Sequence, residues 1–138
     1  MTKLFKNGYV FTKNGFEKKD FTIVGNTIRV LDTNFDSFDS IIDCTNKYII
    51  PGFVDVHVHL REPGFFYKET IETGTKAAAK GGYTTVFSMP NLNPVPSTYE
   101  TLKQQLDIIE KDACVRVIPY GTITMNQSGR GELAKMEE

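Results

Sequence analysis

Both histidines of the chain, His57 and His59, stand two residues apart in the stretch Pro51 to Pro63, PGFVDVHVHLREP, and that spacing suits a metal ion. The flanking residues read as a buried β-strand, on which side chains alternate. Asp55, His57 and His59 are therefore expected on one face, and Val54, Val56 and Val58 on the other. An aliphatic face suits packing under helices. A buried polar face needs partners, because an unpaired buried polar group costs about 1–3 kcal/mol, and a divalent metal supplies one. Neutral imidazole is a zinc ligand, and a strand ending in His-x-His can aim both rings at one ion. Catalytic zinc usually takes about three protein ligands and a water, so two histidines cannot complete an all-histidine site. Taken singly, each histidine also reads as an ordinary strand residue satisfied by a hydrogen bond.

Two further residues could act on a substrate beside such an ion. Arg61 continues the two-residue series, and its planar guanidinium can hold a carboxylate through a bidentate pair. Asn91, in Ser88-Met89-Pro90-Asn91-Leu92-Asn93-Pro94, can both donate and accept hydrogen bonds. The plainer alternatives are an Arg61 paired with Glu62 at the surface and an Asn91 that only forms a turn between two prolines.

These residues need a scaffold that brings strand ends together, and the pattern after Gly52 supplies one. Phe53 to Leu60 reads as a strand, and Lys68 to Lys80 as a helix closed by Gly81-Gly82. Tyr83 to Met89 is a second strand. Thr98 to Lys111 is an amphipathic helix with Leu102, Leu106 and Ile109 on one stripe and Ser97 or Thr98 as N-cap. Val115 to Thr122 is a third strand, and Glu132 to Glu138 begins another helix. This βαβαβα order implies parallel strands in an open sheet or a (β/α)8 barrel, whose function collects at the C-terminal strand ends. The loops carrying His57, His59 and Arg61 and the loop carrying Asn91 should then face one cavity. Three units cannot close eight strands, so the chain is expected to be the N-terminal part of a longer protein, or to obtain the missing wall from a partner.

Before Pro51 the signals are different. Leu4-Phe5, Tyr9 to Thr12, Phe16 to Val24, Thr27 to Leu31, Ile41-Ile42 and Tyr48 to Ile50 read as short strands, with turns at Asn14-Gly15 and Gly25-Asn26. Asn34 to Ser40 reads as an exposed loop. Residues 1–50 thus form a meander or small sandwich with a packing role. The chain has 138 residues, and its sixteen basic and seventeen acidic side chains nearly cancel, which removes an electrostatic case for nucleic acid or an anionic membrane. No apolar run spans a membrane and no signal peptide is evident, so a cytoplasmic location and a small-molecule ligand are expected. Cys44 and Cys114 are expected to be reduced and mostly buried.

With PGFVDVHVHLREPG followed by ETIETGTKAAAKGGYTTVFSMPN, the sequence resembles the amidohydrolase superfamily and, within it, the bacterial dihydroorotases. The likeness runs from about Leu4 to the end of the chain and is most specific over residues 51–96. It implies an α/β protein in which residues 1–50 contribute to a composite β-sandwich and residues 51–138 supply the first strand-helix units of an incomplete (β/α)8 TIM-type barrel. It also implies that His57 and His59 bind the more buried of two Zn2+ ions, while Arg61 and Asn91 hold the carboxylate of dihydroorotate. The implied reaction is the reversible closure of N-carbamoyl-L-aspartate to L-dihydroorotate in pyrimidine synthesis. No catalytic acid or base is assigned within the chain: the family's Asp comes from a later strand, and Asp55 is cast as a buried residue that orients the ligands. Family members often carry Thr after this Asn, where the chain has Leu92 and Asn93.

The resemblance leaves two alternatives. Allantoinases and dihydropyrimidinases share the His-x-His start, and Arg61 within Leu-Arg-Glu-Pro separates the chain from them. The other is a non-catalytic, dihydroorotase-like partner of aspartate transcarbamoylase, with which some family members assemble; a homodimer is the other assembly open to the chain. The isolated chain is expected to be inactive and to associate through unpaired strand edges.

Overall fold

The computed structural model describes residues 2–25, 27–30 and 37–137, which divide into two units, Met1–Pro51 and Gly52–Glu138. In the first, β1 (Thr2–Thr12) is the central element. It pairs antiparallel with β2 (Gly15–Val24), which pairs in turn with β3 (Thr27–Val30), while β4 (Ser40–Asp43) and β5 (Tyr48–Ile49) run parallel to β1. Thr12 faces Gly15 across the hairpin, leaving the two-residue connection Lys13-Asn14. The described strands of this unit form one mixed sheet.

Two strands expected within β1 prove to be one, interrupted by a register shift between Phe5 and Gly8. Asn7 sits there at φ 65°, its N–H donated to Asp20 and its side-chain amide to Asp43. Those bonds hold a kink that the sequence pattern reads as a break. Asn26, Leu31 and Asn34 to Asp36, parts of the expected turn, strand and loop, lie outside the described residues, as does Glu138.

The second unit is built from β6 (Phe53–Val58), α1 (Ile71–Lys80), β7 (Tyr83–Ser88), α2 (Tyr99–Asp112) and β8 (Arg116–Pro119). Its strands are parallel in the order β6-β7-β8, an α/β arrangement. Both helices start at capping boxes. Thr70 and Thr73 exchange side chain and backbone at the start of α1, and Thr98 and Thr101 do so at the start of α2. The first box explains why α1 begins three residues after the expected Lys68.

Leu60, Ile71, Val86 and Val117 form the core between sheet and helices, joined by Val58, Ile108 and Ile109. Full burial of a side chain such as Leu60 contributes about 1.5–3 kcal/mol. On α2, Gln105 is the fully buried residue, donating to Ser88 Oγ at 3.1 Å, whereas Leu106 lies at the surface. The stripe through Leu102, Leu106 and Ile109 is thus rotated, because the buried face runs through Gln105, Ile108 and Ile109.

No helix forms over the described residues 132–137. Lys135 N–H bonds Ser97 O at 2.9 Å, Ala134 N–H bonds Ile123 O at 2.9 Å, and Lys135 O accepts from Tyr99 N–H at 3.0 Å. With its donors and acceptors committed to other segments, this backbone cannot build an i to i+4 ladder. Cys44 is buried as expected, but Cys114 is exposed just after α2. No helix among the described residues is long and apolar enough to cross a membrane.

Candidate functional site

The first strand is not the buried, regular element expected from its sequence. It is an edge of the three-stranded sheet among the described residues, and Val54 and Val56 are exposed. Asp55 is in register with Val86 and Val58 with Ser88, so three residues of β6 span two of β7. This bulge breaks the two-residue alternation. Val56 and His57, neighbours in sequence, consequently line the same cavity. Asp55 is half-buried, and its carboxylate accepts the backbone N–H of His57 at 2.9 Å. It secures the bulged backbone and makes no bond to either imidazole among the described residues.

The bulge nonetheless leaves the two imidazoles side by side, with ring centroids 5.3 Å apart and planes at 67°. Two imidazoles sharing a tetrahedral zinc, with Zn–N near 2.0–2.1 Å, have centroids about 5 Å apart. The separation of the two rings is of that size. Among the described residues no group of three or more His, Cys, Asp or Glu side chains could hold a metal, so the remaining ligands would have to come from outside this cluster. His59 Nδ1 lies 2.8 Å from Asn91 Oδ1, joining the end of β6 to the loop after β7.

Arg61 does not continue the extended series. Its φ is 65°, and Leu60 before it turns into the core at 4% exposure. The guanidinium forms no ion pair or hydrogen bond among the described residues. The plainer expectation, a pair with Glu62, is also not met: Glu62 Oε2 instead accepts the N–H of Ile71 at 2.8 Å, at the start of α1. The Arg61 and Asn91 loops are docked on each other, since Asn93 N–H bonds Pro63 O at 3.2 Å. Gly64, at φ 99°, lies so close to Asn93 that a Cβ would come within 2.2 Å of Asn93 O.

A cleft of about 550 Å³ opens along the C-terminal ends of the three strands, lined by Val56, His57, Met89, Pro90, Tyr120 and Thr122 among others. His59, Arg61 and Asn91 are not in its lining, so the expected single cavity receives only His57 from the predicted set. Tyr120 escaped sequence reasoning. Its ring packs on Phe87 with centroids 5.5 Å apart, and its hydroxyl donates to Val56 O at 3.3 Å. Its position just after the third strand is the signal that could have singled it out.

A family model described as dihydro-orotase-like matches residues 46–138. The dihydroorotase of Fusobacterium nucleatum is 53% identical over 135 residues, which are 97% of this chain and 32% of that protein. The dihydroorotase of Bacillus subtilis is 48% identical over 132 residues, 94% of this chain and 31% of that protein. Among solved structures, the L-hydantoinase (dihydropyrimidinase) of Arthrobacter aurescens superposes with a TM-score of 0.79 at 24% identity, covering 89% of this chain and 28% of its own. The chain thus spans about a third of the length of the curated relatives it matches, and it belongs to the dihydroorotase-like family.

Proposed function

We propose that the protein to which this chain contributes is a zinc-dependent dihydroorotase, interconverting N-carbamoyl-L-aspartate and L-dihydroorotate. The observation that carries the reading is the cluster of His57, His59 and Asn91, with rings 5.3 Å apart and His59 bonded to Asn91 at 2.8 Å. In this reading His57 and His59 hold zinc. When bound, the metal supplies polarisation of the amide carbonyl and a more acidic water. Arg61 presents an uncommitted guanidinium to the substrate carboxylate, and the amide of Asn91 adds hydrogen-bond donors beside it. Leu60, buried in the core, and Glu62, which accepts the N–H of Ile71 at the start of α1, hold the backbone on either side of Arg61. No group in the cluster is placed to carry the proton to the leaving nitrogen, a step assigned to an acid outside it.

The same reading makes β6, β7 and β8 the first strands of a (β/α)8 barrel. Exposed Val54 and Val56 on an edge strand support it, as faces that a further element would cover. The sheet of the first unit becomes one layer of a sandwich, supported by the exposure of Phe11, Phe16, Ile28 and Tyr48. A hydantoinase-like activity is the alternative, and the uncommitted cation at Arg61 favours a substrate with a carboxylate. His57→Ala in the intact protein is expected to lose zinc and to abolish turnover of L-dihydroorotate. Undiminished turnover in that variant would remove the assignment.

A further inference from the structure

We propose that Asn91 is a positioning residue for His59, with the two ends of its amide assigned to different tasks. Its Oδ1 fixes the His59 ring, and its Nδ2 is kept for the substrate carboxylate. The second half rests on the carboxylate-site reading above; the first half stands on the geometry alone.

The Oδ1 to Nδ1 separation of 2.8 Å is that of a good hydrogen bond. A carbonyl oxygen only accepts, so His59 must donate from Nδ1. The proton is thereby placed on Nδ1, and the lone pair of Nε2 is left outward, as a ligand requires. Asn91 Nδ2 makes no hydrogen bond among the described residues, so both of its N–H groups remain available to an anion.

The backbone holds this amide in place. Leu92, at 4% exposure, anchors the next position, its N–H bonds Pro90 O at 2.9 Å, and Asn93 N–H bonds Pro63 O. The chemistry also explains why the residue is asparagine. Aspartate would hold the ring as well, but it offers no donor and places a negative charge where an anion must bind. Alanine does neither task.

The two halves separate experimentally. In metal-free, 15N-labelled protein, above the pH at which the ring is protonated, the ring nitrogens of His59 should report the Nδ1–H tautomer in the wild type and in Asn91→Asp. In Asn91→Ala the proton should redistribute toward Nε2. Zinc titration should show affinity about 10–100-fold weaker in Asn91→Ala but within about threefold of the wild type in Asn91→Asp. The KM for L-dihydroorotate should rise about tenfold or more in Asn91→Asp, the scale of a lost hydrogen bond to a charged group. An Asn91→Ala protein with unchanged tautomer and zinc affinity overturns the role toward His59. An Asn91→Asp protein with unchanged KM overturns only the carboxylate half. Where Asn91→Ala does not fold, Asn91→Gln, which displaces the acceptor by one methylene, carries the same tautomer and zinc comparison.

Discussion

The Glu62 carboxylate accepts the backbone N–H of Ile71 at 2.8 Å, tying the turn that bears Arg61 to the first residue of α1. Ile71 is fully buried, so its N–H has no water to turn to when this acceptor is removed. Glu62→Ala is therefore expected to lower stability by about 1–3 kcal/mol, the cost of a buried donor left unsatisfied. Glu62→Gln keeps an acceptor oxygen and should lose less. Urea midpoints of the two variants test this, and equal losses would point to charge at the helix end instead of the bond.

If the intact protein is the proposed dihydroorotase, Arg61→Lys should weaken substrate more than metal. A single ammonium cannot reproduce the two-pronged contact of a guanidinium with a carboxylate. The KM for L-dihydroorotate is expected to rise about tenfold while zinc affinity stays within about threefold, since Arg61 is not a ligand. Parallel losses in the zinc titration and the kinetic assay would contradict this division.

Gly64 occupies a place no other residue can take without cost. Its φ is 99°, and an added Cβ would come within 2.2 Å of the Asn93 carbonyl oxygen, a backbone atom that cannot step aside as a side-chain tip could. Gly64→Ala is expected to destabilise by about 1–3 kcal/mol from backbone strain, with overpacking in addition. It should also part the Arg61 and Asn91 loops. Thermal unfolding gives the first effect, and loss of the Asn93 amide's protection from hydrogen exchange gives the second.

In the first unit, hydrogen bonds from Lys19, then Asn14 and Thr12, hold the Glu17 carboxyl down to about 2 from its ordinary 4.5. A carboxyl depressed in the folded state stabilises it above the unfolded pKa, and that contribution disappears as pH falls through the folded value. Acid titration should therefore show this stabilisation lost between about pH 4.5 and 2. Glu17→Gln should flatten the curve in that window. Because the group is exposed, added salt should shrink the difference between the two proteins.

Much of the second unit was legible because its signals are local. The Thr98 cap, the glycines after α1 and the apolar strands are readable from neighbours within four residues. The failures share a cause of the opposite kind. The helix expected from Glu132 is absent over the described residues because Ile123, Ser97 and Tyr99 compete for its backbone groups. The α2 stripe is displaced because a polar residue, Gln105, found a buried partner in Ser88, seventeen positions earlier. Hydrophobic spacing contains no information about either competitor.

For the site itself, residue chemistry and spacing alone showed that His57 and His59 could serve one metal, that Arg61 could pair with a carboxylate, and which family the chain resembles; a carboxylate role for Asn91 followed only from that resemblance. Those conclusions depend on side-chain type and on a short extended segment, both written in consecutive residues. Only the tertiary structure decided that a bulge puts Val56 beside His57 in the cleft, that Arg61 turns into the left-handed region, and that Asn91 bonds His59. The last contact joins residues 32 positions apart. Its existence depends on how β6 and β7 align and how their loops dock, which is a property of packing and not of any periodicity along the chain.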